Sequence, residues 1–404
     1  MRIFISALVV LLALSLAEFL QGDTKARVVC YYTNWAVYRD GIGRYSVEDI
    51  PVSMCTHILY SFIGLTETGE VKILDPESDI ETKGFANFTS LKVDYPEVKF
   101  IVVIGGWNEG GAKYSKMVST SASRKTFIDS IIKFINDYGF DGLDLDWEYP
   151  GATDRDGKPE DKANFLALCQ ELRVPFDEQG WELSAAVPLT KPRLEDGYDV
   201  PGLCKVLDAV HVMGYDLRAN SDGVADNHAP LNRRPSDLGA LKHVNVRDGL
   251  QLWEDLGCPA NKLVVGVPFY GRSFILASPS ETGIGAPINV TAGGGDPLPY
   301  TEERGYWAYF EICSKLQNEE GWTKVWDNIG KAPYAYKDNQ WVGYSDVRSL
   351  QIKMEFIKKK GYLGAMTWAL DLDDFRGLCG DKLPLLSTLH TYMNTYTVPE
   401  PVCD

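Results

Sequence analysis

Histidine is scarce in this chain. Five occur among 404 residues, scattered at positions 57, 211, 228, 243 and 390, so they form no metal-binding cluster in the sequence. The eight cysteines never fall as CxxC, which argues against a zinc site. No GxSxG elbow is present, and AGGGDP at 292–297 lacks the Lys and Ser/Thr that a phosphate loop needs. Basic residues are short as well: 40 Lys and Arg stand against 56 Asp and Glu, a net charge of −16. With a pI near 4.9, the chain is a poor partner for nucleic acid or an anionic membrane surface, since both demand a basic face. After residue 22 no apolar run is long enough to cross a bilayer. Internal repeats and low-complexity linkers are lacking, and nothing in the sequence implies a cofactor.

What is present begins with an address. MRIFISALVVLLALSLAEFLQG puts Arg2 before an apolar stretch from Ile3 to Ala17, then small and polar residues, the layout of a secretory signal peptide over residues 1–22. The apolar run is too short for an anchor, so the mature chain is expected to start near Asp23 and to be extracellular. Export places the cysteines in an oxidising compartment, and their even number fits disulfides. NFT at Asn87 and NVT at Asn289 are glycan acceptor sequons. At 45% apolar and 12% aromatic residues, the chain can bury a large core.

Eight short apolar runs read as buried strands: RVVCYY at 27–32, THILYSF at 56–62, KFIVVIGG at 99–106, FDGLDLD at 140–146, ELSAAVP at 182–188, LDAVHVMGY at 207–215, KLVVGVPFY at 262–270 and YLGAMTWAL at 362–370. Near-continuous hydrophobic strands indicate a parallel sheet covered on both faces. Between the third and fourth runs, Phe127, Ile131, Phe134 and Ile135 share one helical face that ends at Gly139. Strands alternating with helices eight times predict an α/β fold, a (β/α)8 TIM barrel over residues 23–395. Roughly ninety residues separate the last two runs. Their density of Tyr, Trp and Gly predicts a small α+β insertion at about 272–345, and residues 396–404 read as a short tail.

The stretch FDGLDLDWEYP carries Asp144, Asp146 and Glu148 at alternate positions. On a strand these share one face, about 6.5–7 Å apart. Glu148 falls at the C-terminal end of its strand, where barrel active sites lie. Crowded carboxylates in a low-dielectric pocket cannot all ionise, so a proton is shared and at least one carboxyl stays protonated near neutral pH, as a general acid must. Asp141, of opposite parity, is expected to be structural.

DGLDLDWEYP resembles the DxxDxDxE motif of family 18 glycoside hydrolases, the chitinase family. Further resemblances follow in order along nearly the whole mature chain: CYYTNWAVYRDG at 30–41, CTHILYSFIG at 55–64, IGGWNEG at 104–110, MGYDL at 213–217, VPFYGRSF at 267–274 and GAMTWALDLDDF at 364–375. The look is that of arthropod and other animal chitinases. The resemblance implies hydrolysis of chitin or chitooligosaccharides by a substrate-assisted, retaining route, an exception to the two-carboxylate scheme. It makes Glu148 the acid and then the base, Asp146 the group that orients the N-acetyl nitrogen, Asp144 the holder of the relay proton, and Tyr215 a donor to the acetyl oxygen. Trp368 would floor the cleft under the cleaved sugar, and Trp107 would stack on the leaving side with Gly106 and Asn108 beside it. Met213 and Asp216 would line the Tyr215 wall, and Tyr31, Phe62, Tyr149, Tyr270 and Arg272 would occupy other rim positions.

The same resemblance pairs Cys30 with Cys55 and Cys313 with Cys379, leaving Cys169, Cys204, Cys258 and Cys403 unassigned. No metal is implied, and a monomer is expected. Two positions depart from the family pattern: Val103 stands where Ser is common, expected to tune the surroundings of Asp144, and Gly214 stands where Thr or Ser is common. The rival readings are a chitin-binding lectin or growth-factor-like member, which would have replaced the catalytic Glu, and an endo-N-acetylglucosaminidase acting on glycoprotein glycans.

Overall fold

The computed structural model describes residues 24–400; the signal-peptide reading at 1–22 and Cys403 lie outside them. Eight strands follow the apolar runs: β1 (Arg27–Thr33), β2 (His57–Leu65), β3 (Lys99–Gly105), β4 (Gly142–Asp146), β5 (Glu182–Val187), β6 (Ala209–Val212), β7 (Leu263–Pro268) and β8 (Gly364–Trp368). Each pairs in parallel with the next, and β8 pairs with β1 through Gly364↔Arg27, so the sheet closes into the expected barrel. Closure satisfies the eight barrel strands on both sides, a short strand Val71–Ile73 pairs antiparallel with the end of β2, and the outward apolar side chains are covered by helices. One of these, Ser121–Tyr138, buries Phe127, Ile131, Phe134 and Ile135 as the spacing predicts, is capped by Thr120 at its start, and ends at Gly139 with φ 75°.

The largest boundary difference is at β6. The apolar run extends to Tyr215, but the ladder stops at Val212. Beyond it, Asp216 takes φ 53°, a left-handed conformation that a strand cannot continue. Gly214 has a steric reason here, because a β-carbon would come within 2.4 Å of the Gly266 carbonyl oxygen on β7.

Between β7 and β8 lies an antiparallel five-stranded sheet in the order Tyr306–Ala308, Tyr270–Ile275, Gln340–Gly343, Ala332–Lys337 and Thr323–Asp327, with helix Tyr309–Asn318. It begins two residues before the expected boundary, since Tyr270 already pairs with Ala308. Phe274, Tyr334 and Trp341 pack one face, while Trp307, Ile312, Val342 and Tyr344 pack the other. A buried ion network ties this sheet to the segment after β6: Arg234 reaches Asp327 at 2.6 Å and Asp226 at 2.9 Å, and Arg218 meets Asp226 at 2.9 Å. Mutual pairing is what makes such burial of charge tolerable. The tail is partly structured, with Thr397–Val398 pairing antiparallel with Thr24–Lys25.

Both expected disulfides are present, Cys30–Cys55 and Cys313–Cys379, and a third joins Cys204 to Cys258. Cys169 is free and buried in the core. Protease mapping without reductant is expected to recover Cys204 and Cys258 in one linked peptide pair. Removing that bridge with Cys204→Ser should cost about 2–4 kcal/mol of stability in a denaturant titration. Recovery of Cys204 as a free thiol would contradict the pairing.

Candidate active site

β4 and the two residues after it deliver the three carboxylates into very different surroundings. Asp144 is 0% exposed. Its Oδ2 accepts from the Tyr31 hydroxyl at 2.7 Å and its Oδ1 from the Ser184 hydroxyl at 2.6 Å. His211 Nδ1 lies 3.0 Å from the same Oδ1 and 3.2 Å from the Tyr31 oxygen. With both oxygens already accepting, Nδ1 carries the imidazole proton, which leaves the unpartnered Nε2 as a bare acceptor rather than a stranded donor. Val103 faces Asp144 in the β3–β4 ladder without a hydroxyl, and the serine donor comes from β5 instead.

Asp146 is 4% exposed, and its Oδ1 has no hydrogen-bond partner among the described residues. Burial, then the charges of Glu148 and Asp144, push its carboxyl well above the usual range. Three donors from Tyr31, Ser184 and His211 surround the Asp144 carboxylate, while none reaches Asp146 Oδ1. The backbone is equally tight, since Gly106 N–H donates to the Asp146 carbonyl at 2.8 Å and a β-carbon on Gly105 would meet that oxygen at 2.1 Å.

Glu148 is half-buried at the rim. Burial pushes its carboxyl up to about 7; Asp216 adds to the rise, while Tyr149, Arg155 and Arg193 oppose it. Asp141 is structural, as its parity suggests: it accepts from the Phe100 N–H at 2.9 Å and from Lys92 at 2.5 Å.

One wall of the cleft is aromatic. Trp368 stacks near Phe62, with centroids 5.6 Å apart, and lies 5.5 Å from Tyr31. Trp35 joins them at 5.9 Å from Phe62 and 6.2 Å from Trp368, with 41% of its surface exposed. Trp107 is exposed on the β3 side with Asn108. On the opposite wall the Tyr215 hydroxyl has a single weak partner, the Met366 sulfur at 3.8 Å, and Met213 is half-buried beside the core. Asp216 is gripped bidentately by Arg272 at 2.8 and 2.7 Å, and its backbone N–H donates to His228 Nδ1 at 3.2 Å. Burial works against its charge, but the Arg272 guanidinium holds the Asp216 carboxyl well below the usual range.

Three expected sugar contacts are not at the surface of the cleft. Tyr31 and Tyr270 are each 1% exposed: Tyr31 is a hydrogen-bond donor to Asp144, and Tyr270 is stacked under Tyr306 with centroids 4.4 Å apart. Gly106 is buried against the Phe62 ring. Tyr149 is half-buried, with Arg193 5.1 Å over its ring. The sequence reading missed Trp35, His211, Ser184 and Tyr306. Trp35 alone left a signal, as an aromatic within the CYYTNWAVYRDG segment; Ser184 and His211 come from the two strands after β4, and Tyr306 from the inserted sheet, so their proximity follows from strand pairing rather than from any local motif.

Cys313, Asp374 and Cys379 cluster closely enough to suggest a metal site. The two sulfurs are bonded to each other and Asp374 accepts the backbone N–H groups of Leu378 and Cys379, each at 2.8 Å, so the donor set is spent.

Residues 27–373 match the family described as Glycosyl hydrolases family 18. The chain belongs to that family. It is a glycoside hydrolase, 59% identical over 401 residues to an endochitinase of Manduca sexta, an alignment that spans 98% of this chain and 72% of that protein. A group IV chitinase of Ostrinia furnacalis superposes with a TM-score of 0.88 at 42% identity, over 91% of this chain and 99% of that one. Human YKL-39, described as a pseudo-chitinase with retained chitooligosaccharide binding properties, superposes with a TM-score of 0.84 at 34% identity, over 92% of this chain and 100% of its own.

The raised Glu148 carboxyl has a consequence for stability. Well below its ordinary value of 4.5, it is protonated in folded and unfolded chains alike; between there and about 7 the folded chain binds more protons. Ionising it as pH rises therefore costs folding free energy. Glu148→Gln removes that cost and should exceed wild type in stability at pH 8 by on the order of 1–3 kcal/mol, yet match it near pH 4. Urea midpoints at the two pH values measure the difference, and an equal gain at both would count against an ionisation cost.

Proposed function

We propose that this family 18 member is a secreted, endo-acting chitinase that hydrolyses β-1,4 bonds between N-acetylglucosamine units with retention of configuration. The reading is carried by the gradient along β4: Asp144 enclosed by donors, Asp146 buried with an unpartnered oxygen, Glu148 half-exposed with its carboxyl near 7. With 0% and 4% exposure, neither aspartate reaches the cleft as a nucleophile. Retention then requires the nucleophile to come from the substrate, and an N-acetylated sugar carries one in its acetamide oxygen.

In this scheme Glu148 gives its proton to the glycosidic oxygen as the acetamide oxygen bonds to the anomeric carbon and the leaving sugar departs. Asp146, turned toward the sugar, accepts the acetamide N–H at Oδ1. As the nitrogen gains positive charge, the Asp146 proton passes to Asp144. The Tyr215 hydroxyl donates to the acetamide oxygen; burial and the nearby Asp146 charge push its pKa up and keep it protonated. Glu148, now a carboxylate, takes a proton from the water that opens the oxazolinium ring. Trp368, Phe62 and Trp35 offer flat apolar faces to the sugar chain, and Trp107 offers one on the leaving side. Chitooligosaccharide complexes of relatives, including an Ostrinia furnacalis group II chitinase domain, suit this substrate class. No described helix is long and apolar enough to cross a membrane, and both sequon asparagines, Asn87 and Asn289, are exposed for glycan attachment.

The lectin reading, with YKL-39 as its structural precedent, is disfavoured because Glu148, Asp146 and Tyr215 are all retained. Hydrolysis of a chitin hexamer followed by proton NMR should release the β-anomer first; tight binding without turnover would establish the lectin reading instead. Glu148→Gln should lower turnover by about 10²–10⁴-fold while leaving oligomer affinity nearly intact. In the wild type, kcat/KM should decline as pH rises through about 7, where Glu148 loses the proton it must donate. A profile flat from pH 6 to 9 would refute that role.

A further inference from the structure

Arg155 stands outside the carboxylate motif, on the short turn Thr153–Arg155 that follows β4. Its guanidinium carbon lies 3.8 Å from the centroid of the Trp107 ring. From that stacked position Nε donates to the Glu148 carbonyl oxygen at 3.1 Å, and a terminal nitrogen donates to the Trp107 carbonyl. One side chain therefore joins the aromatic platform after β3 to the backbone of the acid after β4. Trp107 is 55% exposed, so the guanidinium is set against a ring that lies largely open to solvent.

The turn that carries Arg155 is itself braced. Its carbonyl packs against Gly111, where a β-carbon would come within 1.9 Å. The preceding Asp154 is held bidentately by Arg193 at 2.6 and 2.7 Å, and Arg193 in turn covers the Tyr149 ring. Loops after β3, β4 and β5 thus meet at this turn. A planar guanidinium can stack on an indole and donate in its own plane at once, which an ammonium cannot.

We propose that Arg155 is a positioning residue for the hydrolysis, holding the Trp107 indole at a set offset from Glu148 so that the departing sugar lies on the platform when its oxygen meets the acid. This rests on the functional reading above. The same cation opposes the rise of the Glu148 carboxyl. The other titratable groups facing Glu148 are Asp146, Tyr149, Arg193, Tyr198, Tyr215 and Asp216, and they remain when Arg155 is replaced.

The test uses the full secreted chain, a chitin hexamer, and the variants Arg155→Ala, Arg155→Lys, Trp107→Ala and the Ala/Ala double, with kcat and KM followed against pH. Arg155→Ala should raise KM roughly 3–10-fold and move the basic limb of kcat/KM to higher pH. Arg155→Lys should raise KM similarly but leave the limb in place, because it keeps the charge and loses the stack. In the Trp107→Ala background, replacing Arg155 should change KM by less than about twofold, the non-additivity expected of partners. Arg155→Ala with wild-type KM and an unmoved limb would overturn the proposal, as would KM effects that simply multiply. If Arg155→Ala does not fold, the KM of Arg155→Lys decides alone. Should the wild type leave the hexamer intact, the functional reading fails, and hexamer affinity by calorimetry decides the placement of Trp107: weakening by Arg155→Ala that disappears in the Trp107→Ala background supports it, and unchanged affinity overturns it.

Discussion

Burying carboxylates beside one another in the mouth of a barrel is the constraint around which this molecule is arranged. Each loses hydration, and each repels the next. The barrel answers with donors from other strands: Tyr31 from β1, Ser184 from β5 and His211 from β6 all converge on Asp144. Ser184 is the ladder partner of Asp144 on the adjacent strand and His211 lies one strand further on, but Tyr31 on β1 reaches Asp144 only because the sheet closes. Asp146 receives no such relief at Oδ1. The unequal treatment separates the proton-binding tendencies of neighbouring acids, which is the condition for one to stay charged while another keeps a proton.

The inserted sheet serves the same cleft from its far side. Arg272, on its second strand in spatial order, clamps Asp216 beside Tyr215, and Tyr270 and Tyr306 stack beneath that ion pair. His228 fixes the left-handed turn at Asp216 from the barrel side. Arg218, Asp226, Arg234 and Asp327 continue the tie at greater depth. A wall built in this way is rigid because its charges are buried in pairs: removing one partner leaves the other stranded in a poor solvent for ions.

Small residues set how closely the working strands approach. Gly214, just past the end of β6, faces Gly266 on β7, and a β-carbon on Gly266 would come within 2.9 Å of the Tyr215 ring. The glycine at 214 is thus a packing requirement of the β6–β7 contact rather than a change in the chemistry of its neighbours. At Val103 the reverse holds: the ladder position is kept, the hydroxyl is absent, and Ser184, the partner of Asp144 on the neighbouring strand to the other side, supplies that hydrogen bond.

The sequence by itself determined the barrel, the inserted α+β unit and the carboxylate ladder, because all three rest on local regularities: apolar runs of strand length, an aromatic-rich interruption, and alternation along a single strand. It also determined that Asp141 is structural, through parity alone. Tertiary structure decided the rest. Which groups enclose Asp144 depends on donors 40 to 113 residues away along the chain, and such distances leave no trace in local pattern. Tyr31 and Tyr270 read as cleft aromatics yet are enclosed, since exposure is a property of what packs against a ring and not of the ring's place at a strand end. Trp35, His211 and Arg155 enter the site only because closure of the sheet and the braced turn after β4 carry them there.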